Sequence, residues 1–117
     1  MKVLLDTNFL LAIEQRHLDF EALVDHELLV LESVFFEVAK ISESSRKAAA
    51  AAKVALKMIE KFGIKTVQSK GVADRALLDY ASKQGCAIAT LDRDLRKAAR
   101  KKGIPTIAVV KGQIRQT

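Results

Sequence analysis

The chain has 117 residues, half of them hydrophobic (50%), which describes one domain with an ordinary core and no room for a second folded module. A lone cysteine, no signal-like N-terminus and no apolar run near the roughly 18 residues of a membrane span exclude a disulfide-rich secreted protein and a membrane protein, and lead us to expect a cytoplasmic one. Twenty Lys and Arg against fourteen Asp and Glu give a net charge of +6, and with five Phe, one Tyr and no Trp the expected partner is a polyanion gripped by its phosphates rather than by base stacking.

Lys2-Val3-Leu4-Leu5 is an apolar run too short for a helix and bounded by Asp6, the pattern of a buried parallel strand. From Asn8 the spacing of Phe9, Leu10, Leu11 and Ile13 predicts a short helix, with another short one over Phe20 to Val24. Glu27 to Leu31 reads as the next strand. Ser33 is placed to cap a helix through Val34, Phe35, Phe36, Val38 and Ile41. After the polar break Ser42-Glu43-Ser44-Ser45, Ser45 is placed to cap an Ala-rich helix from Arg46 to Phe62, which Gly63 ends. Ile64 to Val67 is a brief strand, about Val72 to Gln84 a helix closed by Gly85, and Ala87 to Thr90 another buried strand. Asp92 to Lys102 forms a basic helix ended by Gly103, Pro105 to Val110 is the last strand, and the polar tail Lys111 to Thr117 is expected to fray. Strands alternating with helices imply βαβ units and a parallel sheet covered on both faces.

In such sheets ligands bind beyond the carboxyl ends of the strands, and Asp6 and Asp92 both follow strands. Each reads either as a helix N-cap or as a site residue. Glu37 shares the apolar side of its helix with Val34 and Ile41, where a carboxylate needs a cation, hydrogen bonds or a proton; Lys40 is one candidate partner. Asp79 has Arg75 and Lys83 four residues to either side and reads as a solvated ion-pair residue, whereas Asp74, beside Leu77 and Leu78, is either a first-turn dipole acid or a site acid. Asp94 lies two residues beyond Asp92, with Lys97 as an alternative ion-pair partner. Carboxylates from separate segments converging on one edge repel one another, and Mg²⁺ or Mn²⁺ is the economical remedy. Thr7 and Asn8 either orient Asp6 or a water, or simply open the helix.

Other chemistries are poorly supplied. Two histidines and the unpaired Cys86, which is expected to pack beside a strand, do not make a structural zinc site, and there is no glycine-rich nucleotide cradle or Gly-x-Ser-x-Gly elbow. Lys53, Lys57 and Lys61 form one basic stripe, read as a solvated face. Arg93, Arg96, Lys97, Arg100, Lys101 and Lys102 form a second that starts beside the acids, where it can hold phosphates flanking a scissile bond.

Leu4-Leu5-Asp6-Thr7-Asn8-Phe9-Leu10-Leu11, then Glu37, then Val72-Ala73-Asp74-Arg75-Ala76-Leu77-Leu78, then Ala89-Thr90-Leu91-Asp92-Arg93-Asp94-Leu95 resemble the ordered motifs of PIN domains, from Lys2 to Val110. Asp92 to Arg96 followed by Gly103-Ile104-Pro105 looks most similar to the ribosomal-RNA-processing branch of archaea and eukaryotes, with the toxins of toxin-antitoxin pairs as the other close relatives. The resemblance implies a three-layer α/β/α fold, with a mainly parallel sheet of four to five strands, and Mg²⁺- or Mn²⁺-dependent endoribonuclease activity. It implies Asp6, Glu37, Asp74 and Asp92 as the acid quartet, Asp94 as an auxiliary acid and Thr90 as a hydroxyl near the metal. It also favours a homodimer, for which the helices at Phe9 to Ile13 and Phe20 to Val24 are candidate contacts, and a partner such as an antitoxin or a ribosome-assembly factor. Leu91 departs from the family, which often has Asn there. Two other readings stand beside this one: a non-catalytic RNA-binding or assembly module, and a phosphatase-like or receiver-like domain. Asn8 in place of a second Asp opposes the phosphatase, and the lack of room for an acidic pair before Asp6 opposes the receiver.

Overall fold

A computed structural model describes residues 1–69, 71 and 73–117; Val72, the expected first residue of the fourth helix, lies outside them. Its six strands are β1 (Lys2–Leu5), β2 (Glu27–Leu31), β3 (Lys65–Val67), β4 (Cys86–Ala89), β5 (Thr106–Val110) and β6 (Gln113–Gln116), and its helices are α1 (Thr7–Gln15), α2 (Glu32–Ser42), α3 (Ala49–Lys61), α4 (Ala73–Gln84) and α5 (Arg93–Lys101). A single 3-10 turn at Phe20–Leu23 replaces the second short helix.

The strands lie in the order β3-β2-β1-β4-β5-β6, parallel throughout except for β6. β1 is interior, with Leu4 opposite Leu29 of β2 on one side and Ile88 of β4 on the other. Val3, Leu4 and Leu5 are wholly buried, which is why this run carries no polar alternation. From β1 the chain steps outward to β2 and β3, then returns to the far side of β1 to lay down β4 and β5. Right-handed crossovers in opposite directions put their helices on opposite faces. Accordingly α1, α2 and α3 pack on one another, while α4 and α5 pack together over β4 and β5. The result is the expected three-layer α/β/α arrangement, with the reversal of strand order falling between β1 and β4.

Both helical caps expected from serine are absent. α2 starts at Glu32 with Leu31 as its cap residue and no side-chain cap bond, its first turn carrying the acidic Glu32 instead. Ser33 therefore lies inside the helix, where its hydroxyl meets that of Ser69 at 3.3 Å. α3 starts at Ala49, three residues later than Arg46, because residues 46–48 form a turn; its cap residue is Ala48, and among the described residues Ser45 makes no cap bond. Asp92, by contrast, precedes α5 as its cap rather than opening it.

The tail does not fray, and the sheet has six strands rather than four or five. Lys111 and Gly112 take positive φ values of 52° and 74°, the mirror-image turn that suits a two-residue hairpin. They fold β6 back on β5, with Ile114 opposite Val109. The Thr106 hydroxyl donates to the Thr117 carbonyl (3.0 Å) and the Thr117 N–H to the Thr106 carbonyl (2.8 Å), closing the pair. A Cβ at Gly112 would meet nothing within 4 Å, so substitution there tests conformation alone. Gly112→Ala is expected to cost about 1 kcal/mol, and Gly112→Asn less, because Asn tolerates this region. Urea denaturation checks this as a lower midpoint at unchanged slope.

Candidate active site

Asp6 directly follows β1, the strand flanked by β2 and β4, and its backbone N–H continues the ladder to the Ala89 carbonyl at 3.0 Å. Its extended backbone makes it the N-cap of α1. One carboxylate oxygen, Oδ1, accepts the Thr7 N–H at 2.8 Å, and the other, Oδ2, accepts the Thr90 hydroxyl at 2.7 Å. Thr90 is wholly buried and Asp6 nearly so. The same Thr90 oxygen accepts the Asp92 N–H at 3.1 Å, while Asn8 Oδ1 accepts the Leu91 N–H at 3.0 Å. Asn8 Oδ1 also lies 3.2 Å from the Thr90 hydroxyl, so Asn8 pins the turn between β4 and α5 and, among the described residues, makes no hydrogen bond to Asp6 itself; at position 91 the backbone carries the polar contact. Asp92 caps α5, its Oδ1 accepting the N–H groups of Asp94 (2.9 Å) and Leu95 (3.3 Å). Capping and convergence on one edge therefore occur together.

Asp6 and Asp92 face a pocket of about 370 Å³ that Glu37 and Asp74 also line, so the four expected acids share one cavity at the switch point between β1 and β4. Thr7 and Asn8 line it too. Asp74 is in the first turn of α4 and exposed. Glu37 corrects the expectation that it sits on the apolar side: Val34, Val38 and Ile41 are buried, but Glu37 is exposed at the edge of their stripe. It needs no buried partner, and among the described residues Lys40 makes no ion pair with it. Asp94 is exposed and does not line the pocket. Arg93, Lys97 and Arg100 are exposed along α5, with Arg96 half-buried. Asp79 is exposed as expected, yet among the described residues it is in no ion pair; with Tyr80 and Lys83 it lines a separate cavity of about 500 Å³. Cys86, expected to pack beside a strand, instead begins β4 and is buried in it. Of the candidate dimer contacts, Phe9, Leu10, Ile13, Phe20 and Leu23 are core, whereas Leu11 is half-buried and Val24 exposed.

Sequence reasoning missed Arg46, which lines the acid pocket. A cation in the turn after a helix that carries a site acid is the only local signal for it.

Burial pushes the Asp6 carboxyl above its usual range; the bonds from Thr90 and Thr7 pull it back, and the charges of Asp74 and Asp92 push it further up. That frustration suits a cation. Among the described residues, no three His, Cys, Asp or Glu side chains are gathered tightly enough to cage one. The donor set still fits Mg²⁺ or Mn²⁺, which take hard oxygen ligands; Mg²⁺ in particular is commonly held by one or two carboxylates with water completing its shell. Asp92 Oδ2 has no hydrogen bond among the described residues and is free for that role.

Two outcomes follow. A carboxyl whose pKa is higher folded than unfolded favours folding below its unfolded pKa, and that contribution is lost as pH rises through the folded value. In EDTA at neutral pH, Asp6→Asn is therefore expected to raise the melting temperature, because the amide oxygen keeps the cap while the Thr90 hydroxyl turns to Asn8 Oδ1, 3.2 Å away, and the gain should shrink as pH falls through the range in which Asp6 protonates. Calorimetry at neutral and acid pH reads this. Thr90→Val, which removes the hydroxyl from both Asp6 and the Asp92 N–H, is expected to cost about 1–3 kcal/mol by urea denaturation.

The sequence matches the family described as PIN like domain over residues 3–112. It is 38% identical over 78 residues to Ribonuclease VapC9 of Archaeoglobus fulgidus, a match covering 66% of this chain and 56% of that protein, so the chain aligns with little more than half of this relative's length. The crystal structure of PAE2754 from Pyrobaculum aerophilum superimposes with a TM-score of 0.56 at 20% identity, over 81% of this chain and 77% of that one, a likeness of fold alone. With the family match running almost end to end on an α/β/α fold, the chain belongs to the PIN-like domain family.

Proposed function

We propose that this protein is a Mg²⁺- or Mn²⁺-dependent endoribonuclease that hydrolyses RNA phosphodiester bonds. The observation that carries the reading is the convergence of Asp6, Glu37, Asp74 and Asp92, from four separate segments, on one pocket of a chain whose net charge is +6. The similarity to a protein named as a ribonuclease supports the substrate class.

Asp6, Asp74 and Asp92 are the residues that would hold the metal, with Glu37 either binding a second ion or orienting the attacking water. A divalent cation bound there supplies Lewis acidity toward a phosphoryl oxygen and lowers the pKa of water. The remaining work belongs to the chain. Thr90 holds Asp6 at a fixed angle through Oδ2, and Asn8 keeps the turn that carries Asp92 in place. Glu37 faces the pocket from α2, exposed to water, where a carboxylate can take the proton that water loses. Arg93, Arg96, Lys97 and Arg100 hold the phosphates to one side of the scissile bond. On this reading the chain works in the cytoplasm as a homodimer, either in ribosomal RNA processing or as a toxin held by an antitoxin.

A second reading, a non-catalytic RNA-binding module, draws support from the lack of a tight acid cage among the described residues and from the caps that Asp6 and Asp92 make. Incubating end-labelled single-stranded RNA with the purified chain in Mn²⁺, Mg²⁺ or EDTA separates the two. The nuclease is expected to cut only with metal, and Asp6→Asn to lose at least about a hundredfold in rate. RNA left intact but bound equally with metal or EDTA favours the module.

A further inference from the structure

The cleft does not end at the acids. A second hollow of about 290 Å³ adjoins the acid pocket, sharing Glu37, Ile41 and Arg46 with it and adding Lys40 and Ser44. This is the corner where α2 passes into α3, and its backbone is fixed. The Ser44 hydroxyl donates to the Ile41 carbonyl at 2.6 Å, the Arg46 N–H donates to Ser44 Oγ at 3.2 Å, and the Arg46 carbonyl accepts the Ala49 N–H at 3.0 Å. The two cations that line this hollow, Lys40 and Arg46, are exposed, and among the described residues neither lies within ion-pair distance of a carboxylate, although Arg46 borders the pocket of four acids. A guanidinium on such a turn, making no hydrogen bond among the described residues, is suited to a phosphate.

The placement gives this corner a direction. α5 lies on one face of the sheet and the α2–α3 corner on the other, with the acids between them. We propose that Arg46 and Lys40 form a second phosphate subsite, so that a single RNA strand crosses the acid pocket from the α5 stripe and leaves it over the α2–α3 corner. This rests on the nucleic-acid reading given above, but not on catalysis. The corner is then a substrate-binding element that fixes the register of the strand across the acids.

The test is a binding measurement. In the Asp6→Asn background, which keeps the probe intact, fluorescence anisotropy of a short fluorescein-labelled oligouridylate is followed across a KCl series for Arg46→Ala, Arg46→Lys, Lys40→Ala and, as a control on the distant β6, Arg115→Ala. Arg46→Ala and Lys40→Ala are expected to weaken binding about three- to tenfold, and each to flatten the slope of log affinity against log salt by about 0.7, the single-strand value for one phosphate contact. Arg46→Lys should keep the slope, and Arg115→Ala should change neither quantity. Failure of the unmutated chain to cut RNA leaves this readout standing, so the two proposals fail separately. Unchanged affinity and slope in both alanine variants, or no binding of the probe at all, overturns the subsite. So does an Arg46→Ala variant that alters Mn²⁺ affinity or melting temperature while RNA binding stays constant, since Arg46 would then serve the carboxylates.

Discussion

A negative charge buried at the end of the central strand is the constraint on which the site depends. Asp6 cannot withdraw, because β1 is held on both sides and the Asp6 N–H is itself part of the ladder to β4. Its carboxylate must be compensated where it stands, and the structure does so with one hydroxyl and one backbone N–H. The hydroxyl belongs to Thr90, so stabilising Asp6 also fixes the residue after β4. That residue in turn accepts the Asp92 N–H, while Asn8 reaches across to hold Leu91. The starts of α1 and α5 are tied in one knot, and two acids distant in sequence are brought to one edge by the bonds that make the first of them tolerable.

Topology supplies the space. Because the chain leaves β1 toward β2 and returns to its other side at β4, the helices that follow the two strands diverge to opposite faces and leave a mouth between them. Asp74 enters from the start of α4 and Glu37 from α2, each exposed enough to keep its charge in water. The wall is acidic while the chain as a whole is basic. At long range the molecule attracts a polyanion, and at short range the pocket repels it unless a divalent cation intervenes. That opposition distinguishes the pocket from a simple basic groove.

How far the sequence disclosed this depends on the range of the deciding interaction. The central strands were legible because Val3 to Leu5 and Leu28 to Leu31 are uninterrupted apolar runs, a pattern that buried parallel strands share with few alternatives. The positions of Asp6 and Asp92 followed from those strand ends. Local chemistry misled at Ser33 and Ser45, where good capping residues stand near helix starts that packing displaces by a few residues. It misled at the tail, since Gln113 to Gln116 is polar and its pairing is dictated by the Lys111-Gly112 turn and by Thr106 eleven residues before Thr117. Glu37 was placed among apolar neighbours by helical periodicity, which gives a face but not its edge. Arg46 was invisible for a related reason, since nothing local says which way a corner between two helices faces.

The sequence posed Asp6 and Asp92 as a choice between helix cap and site residue, and the bonds they make leave room for both. A carboxylate has two oxygens and about four acceptor sites. At Asp92 the cap occupies Oδ1 alone and leaves Oδ2 directed elsewhere; at Asp6 each oxygen accepts one bond and retains capacity for another. Capping removes the rotameric freedom that a surface acid would have to lose on binding an ion. The helix starts are therefore the means by which two carboxylates are aimed, and the same positive helix ends that favour these acids lessen the repulsion between them while no ion is present.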